Sequence, residues 1–160
     1  MRKILILLGA VAVFVAGCGG GGSSTPVKLS GDTTNKGTKD LTGSAIDLEQ
    51  DDFYFNPSFI KGGTPGATIT VHLKNDGKNP HTFTSAALGV DEQLNPGEAK
   101  DVQITLPQSG ASDFHCRFHQ QSNGMQGAFF FKDGDTVAGA GAGASSSSSS
   151  SDAGGYNYPN

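Results

Sequence analysis

Cys116, His119 and Met125 place a thiol, an imidazole and a thioether within ten residues, between the end of one expected strand and the start of another. Upstream, Asn79-Pro80-His81 supplies a second imidazole at an expected strand end. Two His and one Cys with a weak axial Met are the donor set of a blue-copper site. Thiolate and thioether are soft donors that suit Cu(I), whereas imidazole serves both oxidation states, so the mixed set can hold copper through a one-electron change.

Other chemistries fit these residues less well. Structural zinc sites collect four Cys or His ligands and do not use Met. A Cys–His nucleophile pair also needs an orienting acid and an oxyanion loop, and neither is evident around Cys116 and His119. A binuclear electron-transfer copper site needs two Cys in one loop, and the multicopper oxidases need His-x-His pairs; the chain has neither. His72 lies in mid-strand and is read as a strand residue. His115 precedes Cys116, so it points to the opposite face of its strand.

The elements that must hold such a cluster are short strands. Thr68-Ile69-Thr70-Val71-His72-Leu73 and Val102-Gln103-Ile104-Thr105-Leu106 alternate and are rich in β-branched residues. Asn56-Pro57, Thr64-Pro65-Gly66, Asn75-Asp76-Gly77 and Asn95-Pro96-Gly97 punctuate the chain between apolar stretches. No stretch keeps a helical period for three turns, so no long helix is expected. Strands at this spacing argue for an all-β sandwich or barrel spanning residues 41–133.

With the residues placed, the segment from about Ile46 to Lys132 resembles a small cupredoxin of the plastocyanin–pseudoazurin type. The likeness rests on Phe53 with Phe59-Ile60-Lys61, the alternating strand ending in Lys74-Asn75, the Pro80-His81 pair, and the Cys-x2-His…Met loop. The resemblance implies a Greek-key β-sandwich holding one type 1 copper ion. It makes His81, Cys116 and His119 the equatorial ligands and Met125 the axial one. Five residues separate His119 from Met125, where plastocyanin-like loops have four and amicyanin-like loops two. Thr82 follows the first His, where many members have Asn.

The flanks differ in composition from this segment. Met1-Arg2-Lys3 is followed by an apolar run from Ile4 to Ala16, the layout of a secretion signal and too short for a comfortable membrane span. Val15-Ala16-Gly17-Cys18 resembles the lipobox of bacterial lipoproteins, which implies cleavage before Cys18 and a lipid on its thiol. Residues 1–17 are therefore expected to be a signal peptide, and residues 18–40 a lipidated Cys with a flexible linker. Residues 134–160, with the Ser145–Ser151 run, are expected to be a disordered Gly/Ser-rich tail. Of 24 Gly in 160 residues, many lie in these flanks, whereas nine of the ten Phe fall between Phe53 and Phe131. Removing Arg2 and Lys3 takes the formal charge from −4 to −6, which argues against nucleic acid as a partner.

The expected role is that of a monomeric blue copper protein, lipid-anchored on the extracytoplasmic side, which carries single electrons between redox partner proteins and is not an enzyme. The alternative is a copper-delivery lipoprotein, and a weaker one is a sandwich used for adhesion. Asp47, Glu49, Asp51 and Asp52 form an acidic run that would steer a basic partner, or would simply be solvated.

Overall fold

The computed structural model describes residues 25–137, which form ten strands and one helical turn. The strands are β1 (Thr38–Leu41), β2 (Ala45–Asp51), β3 (Tyr54–Asn56), β4 (Phe59–Gly62), β5 (Thr68–Asn75), β6 (His81–Ser85), β7 (Val90–Leu94), β8 (Ala99–Thr105), β9 (Ala111–His115) and β10 (Gln126–Phe130). The turn α1 (Gln120–Asn123) lies between β9 and β10. Two sheets result, one of six strands in the order β1-β4-β10-β9-β6-β7 and one of four in the order β3-β2-β5-β8. Among the described residues, the two sheets with one short helix agree with the all-β sandwich read from the sequence. Among the described residues no helix is long and apolar enough to cross a membrane.

Period-two patterning builds the smaller sheet. Along β2, Ile46, Leu48 and Gln50 are buried while their neighbours face out, and Ile69, Val71 and Leu73 of β5 and Val102 and Ile104 of β8 repeat the pattern. The apolar ones among these side chains meet Ile60, Phe83, Phe114 and Phe129 from the larger sheet in one core. Phe114 is its hub. Its ring lies edge-on to Phe55 at 5.0 Å, and tilted against Phe83 at 5.3 Å and Phe129 at 5.5 Å. Edge-on and tilted pairs of this kind each add about 0.5–1.5 kcal/mol beyond their buried area.

All five residues of β10 are buried, so this central strand has no solvent-facing side. Phe129 enters the main core, while Ala128 and Phe130 join Phe59, Ala111 and Val27 in a second apolar cluster on the outer face. That second cluster explains a departure from the expected linker. Residues 25–40 pack along the sheet, with Val27 only 1% exposed and Leu29 against the same cluster. Burying a Val fully contributes about 1.5–3 kcal/mol, and the Leu29 packing and the hydrogen bonds from Gln126 and Thr34 add to it in holding the segment down. The strap crosses β10 near Gln126 and turns at Gly37 to enter β1, which pairs in parallel with β4.

The expected tail boundary also moves. Asp135 is buried and its carboxylate accepts from the backbone N–H groups of Phe131 and Lys132. Thr136 bridges Lys28, and Val137 bridges Ala111 at the start of β9. The two ends of the described chain therefore meet beside the first residue of β9. The signal peptide (residues 1–17), the lipidation residue Cys18 and residues 138–160 of the tail lie outside the described residues.

Candidate metal centre

β9 delivers Cys116, because the strand ends at His115 and the next residue begins the turn into α1. Phe114 and Cys116 lie two apart, so both side chains point into the core, and both are fully buried. The loop from Cys116 to Met125 is closed by its own backbone. The N–H of Cys116 donates to the Met125 carbonyl at 3.0 Å, and the N–H groups of His119 and Gln120 donate to the Cys116 carbonyl at 3.1 and 2.9 Å. Gly124 ends α1 in the left-handed conformation, at φ +64°, and a Cβ there would stand 2.8 Å from the Asp32 carbonyl oxygen. Only glycine meets both requirements.

His81 opens β6 and is fully buried. Its Nδ1 lies 3.1 Å from Nδ1 of His119 and 3.8 Å from Sγ of Cys116, and the Cys116–His119 separation is 3.4 Å. A point equidistant from these three atoms falls about 2.0 Å from each, the length of a metal–imidazole bond and about 0.3 Å short of a metal–thiolate bond. These residues form a group able to hold a metal ion. The Met125 side chain is fully buried in the same core cluster as Cys116. The residues therefore fit a first-row metal with soft and borderline donors. His72 is elsewhere, exposed on β5 and paired with Asp101 at 2.6 Å, and His115 lies outside the cluster on β9.

The protein surrounds the sulfur with donors. The backbone N–H of Thr82 donates to Sγ at 3.4 Å. Burial alone would push the Cys116 thiol up, but hydrogen bonds from His81 and from the backbone N–H groups of Thr82, Phe118 and His119 bring it below its ordinary value. Burial likewise works against a charged His81, yet its contacts with Cys116 and Asp52 raise it above the usual imidazole range. His119 is lowered, first by burial and then by the neighbouring His81 charge. The contacts with Cys116 and Asp52 thus favour a charged His81, whereas burial and the His81 charge favour the neutral form of His119.

Thr82 stands where the sequence resemblance leads one to expect Asn, and its hydroxyl joins the two ligand-bearing segments. Thr82 Oγ1 accepts from the Arg117 N–H at 2.9 Å and lies 3.0 Å from the Thr84 hydroxyl. Thr84 in turn donates to Asp91 at 2.7 Å, and Asp91 accepts from Arg117 Nε at 2.8 Å. This ring fixes the residue after Cys116 to β6 and β7.

Two contributors escaped the sequence reading. Phe53 lies against the site, its ring centroid 4.5 Å from His119 and 6.1 Å from His81. Asp52, read as part of an acidic run, has Oδ1 3.1 Å from Nε2 of His81, 29 residues away in sequence. Burial opposes its ionisation, but the N–H of Lys78 and the contacts with Asn79 and His81 lower its pKa to about 2. Asp51 is also engaged, accepting from the Tyr54 hydroxyl at 2.7 Å, so the run is not one free acidic face. Phe118 is 47% exposed beside His119 and is an apolar residue at the surface next to the centre.

A family model described as a cupredoxin-like domain matches residues 31–129. No curated protein matches the sequence. Similar solved structures include dithionite-reduced auracyanin from the photosynthetic bacterium Roseiflexus castenholzii, 16% identical over 60% of this chain and 98% of that one, with a TM-score of 0.47. Auracyanin A, a "blue" copper protein from the green thermophilic photosynthetic bacterium Chloroflexus aurantiacus, is 15% identical over 59% of this chain and all of its own, at a TM-score of 0.44. A copper nitrite reductase from Nitrosomonas europaea is 22% identical over 61% of this chain and 42% of its own, at a TM-score of 0.46. The chain therefore spans less than half the length of that reductase.

Proposed function

The chain belongs to the cupredoxin-like domain family, and from that premise we propose that it carries single electrons between redox partner proteins at the outer face of a membrane. His81, Cys116 and His119 converge as the three strong ligands of a type 1 copper site, Met125 is buried in the same core cluster as Cys116, where it would serve as the weak axial ligand, and copper is the cofactor. When bound there, copper supplies a one-electron Cu(II)/Cu(I) couple to which thiolate, imidazole and thioether are all suited. The observation that carries the reading is the convergence of His81, Cys116 and His119 donor atoms within 4.8 Å, held by strands and a self-closed loop. A site whose donors are fixed by the fold changes little between oxidation states, which favours electron exchange over metal release. Phe118, exposed beside His119, offers an apolar contact through which a partner would dock near the buried centre.

The anchoring part of the proposal rests on Val15-Ala16-Gly17-Cys18, where a diacylglyceryl thioether on Cys18 would hold the domain at the membrane. Mass spectrometry of the mature N-terminal peptide tests it; an unmodified Cys18 refutes it. For the redox role, the copper(II)-loaded protein should show intense visible Cys-to-copper absorption, bleached by ascorbate and restored by ferricyanide. Cys116→Ser should abolish the band. A colourless wild-type protein after copper(II) loading, or one that surrenders its copper to a partner faster than it exchanges electrons, overturns the carrier reading.

A further inference from the structure

The carboxylate behind His81 is a built contact. Asp52 follows the last residue of β2, and the loop Gly77-Lys78-Asn79 that leads into β6 wraps around it. Asp52 accepts from the Lys78 N–H at 3.0 and 3.1 Å and from the Asn79 N–H at 3.3 Å. Asn75 grips the same loop from the other side, its Oδ1 accepting from the Gly77 N–H at 2.9 Å and its Nδ2 donating to the Asn79 carbonyl at 2.9 Å. Gly77 leaves room for the contact: a Cβ there would stand 2.6 Å from Asp52 Oδ1 and 3.0 Å from His81 Nε2. The chain thus gives up a side chain at residue 77 where carboxylate and imidazole meet.

A neutral imidazole has one N–H donor and one lone pair. Asp52 faces Nε2, and Nδ1 faces Cys116 and His119. A carboxylate on the far nitrogen of a metal-binding His fixes its tautomer and makes the near nitrogen a better donor. We propose that Asp52 is a positioning residue of the copper centre that sets its reduction potential. By taking the Nε2 hydrogen of His81 it keeps the Nδ1 lone pair aimed at the metal, and its negative charge favours the more highly charged cupric state. This inference rests on the copper-carrier reading. The Asp52 side chain is 23% exposed, so solvent screens part of its charge and the effect on metal affinity belongs at the lower end of the roughly 10–100-fold range for such partners, falling on the cupric state, whose extra positive charge the carboxylate favours.

The test is Asp52→Asn, which keeps the shape and removes the charge, read by equilibrium redox titration of the copper-loaded protein against a mediator of known potential. The cupric-to-cuprous affinity ratio should fall about tenfold, which raises the potential by about 59 mV for one electron, with the visible band retained. A role confined to holding the loop would weaken both oxidation states together and leave the potential unmoved. A change of less than about twofold in the ratio therefore overturns the inference. Asp52→Glu, which restores the carboxylate, should move the ratio less than Asp52→Asn.

A second readout needs neither copper nor a variant. Long-range 1H–15N spectra of the zinc-loaded wild-type protein should show the His81 Nε2 hydrogen far downfield and slow to exchange with water, as an N–H held by a carboxylate is; a fast-exchanging Nε2 hydrogen overturns the inference even where Asp52→Asn fails to fold. Failure of the underlying reading looks different, because the wild-type protein would then lack the visible copper band while the zinc-loaded spectrum still reports on Asp52.

Discussion

Replacing Gln126 by Leu should loosen the strap that covers the ligand loop without emptying the core. Gln126 opens β10 directly after Met125 and is 1% exposed. Its Nε2 lies 2.8 Å from the carbonyls of both Ser30 and Asp32 and 3.1 Å from Thr33 Oγ1, while its Oε1 accepts from Gln120 Nε2 at 3.0 Å. An amide carries two hydrogens, so two of the three strap contacts count, at about 1 kcal/mol net each. Ser30 and Asp32 are exposed, so their freed carbonyls find water, and the heavier cost of an orphaned buried acceptor does not apply.

Leucine preserves the volume, and the expected loss in urea unfolding of the metal-free protein is therefore about 2 kcal/mol from the strap contacts and about 1 kcal/mol from the Gln120 bond. The strap keeps Val27 in its cluster and the Thr34 bonds to Gly124 and Asn123, so it should open locally before it detaches. Exchange of the Thr34 amide, which donates to the Gly124 carbonyl at 2.9 Å, then quickens by about 30-fold, the factor that corresponds to the strap's share of about 2 kcal/mol. A loss below about 0.5 kcal/mol with Thr34 exchange unchanged would refute the assignment of Gln126 as the strap's latch.

Gly127→Ala should be harsher, because the new Cβ would sit 2.0 Å from the Ser58 carbonyl oxygen and 2.6 Å from the Phe114 ring; backbone cannot yield as a side chain does, so we expect about 3 kcal/mol, and a loss under about 1 kcal/mol in urea contradicts the packing. Thr82→Val removes the acceptor of the part-buried Arg117 N–H and should cost about 1–2 kcal/mol, with Thr82→Ser recovering most of it; equal stabilities of the two variants would sink the ring's role. His72 is raised above its ordinary pKa by its hydrogen bond to Asp101. The pair's stabilisation is accordingly complete below the unfolded value of about 6.5 and is lost as pH rises through the higher folded value. An NMR titration should place His72 above about 6.5 in the wild type and return it towards that value in Asp101→Asn; coincident curves exclude the pairing.

What could be read in advance was what is local in sequence. Cys116, His119 and Met125 share one loop, so their donor types could be read together; His81, a turn residue if read alone, joined them through the resemblance carried by Pro80-His81 and the Cys-x2-His…Met loop. The strands around Val71 and Ile104 were legible because alternation is written residue by residue. Asp52 was not, since nothing within its own neighbourhood distinguishes a carboxylate that meets an imidazole 29 residues away from the solvated acids at Asp47 and Glu49. Residues 25–40 misled by composition: two apolar side chains, Val27 and Leu29, decide their placement, and an average over Gly, Thr and Lys conceals them. Thr82 shows a third kind of gap, in which a different residue type supplies the same acceptor to the residue after Cys116.

The meeting of Lys28 with Thr136 and of Ala111 with Val137 has a practical corollary. Ala111 is the first residue of β9 and His115 the last, so this junction lies about 13 Å of strand away from the pole where Cys116 begins the ligand loop. Immobilised on an electrode through a linker at either described end, the domain would hang with its redox pole outward. Swapping the linker from one end to the other would leave the orientation, and hence the distance an electron must travel to a soluble donor, nearly the same.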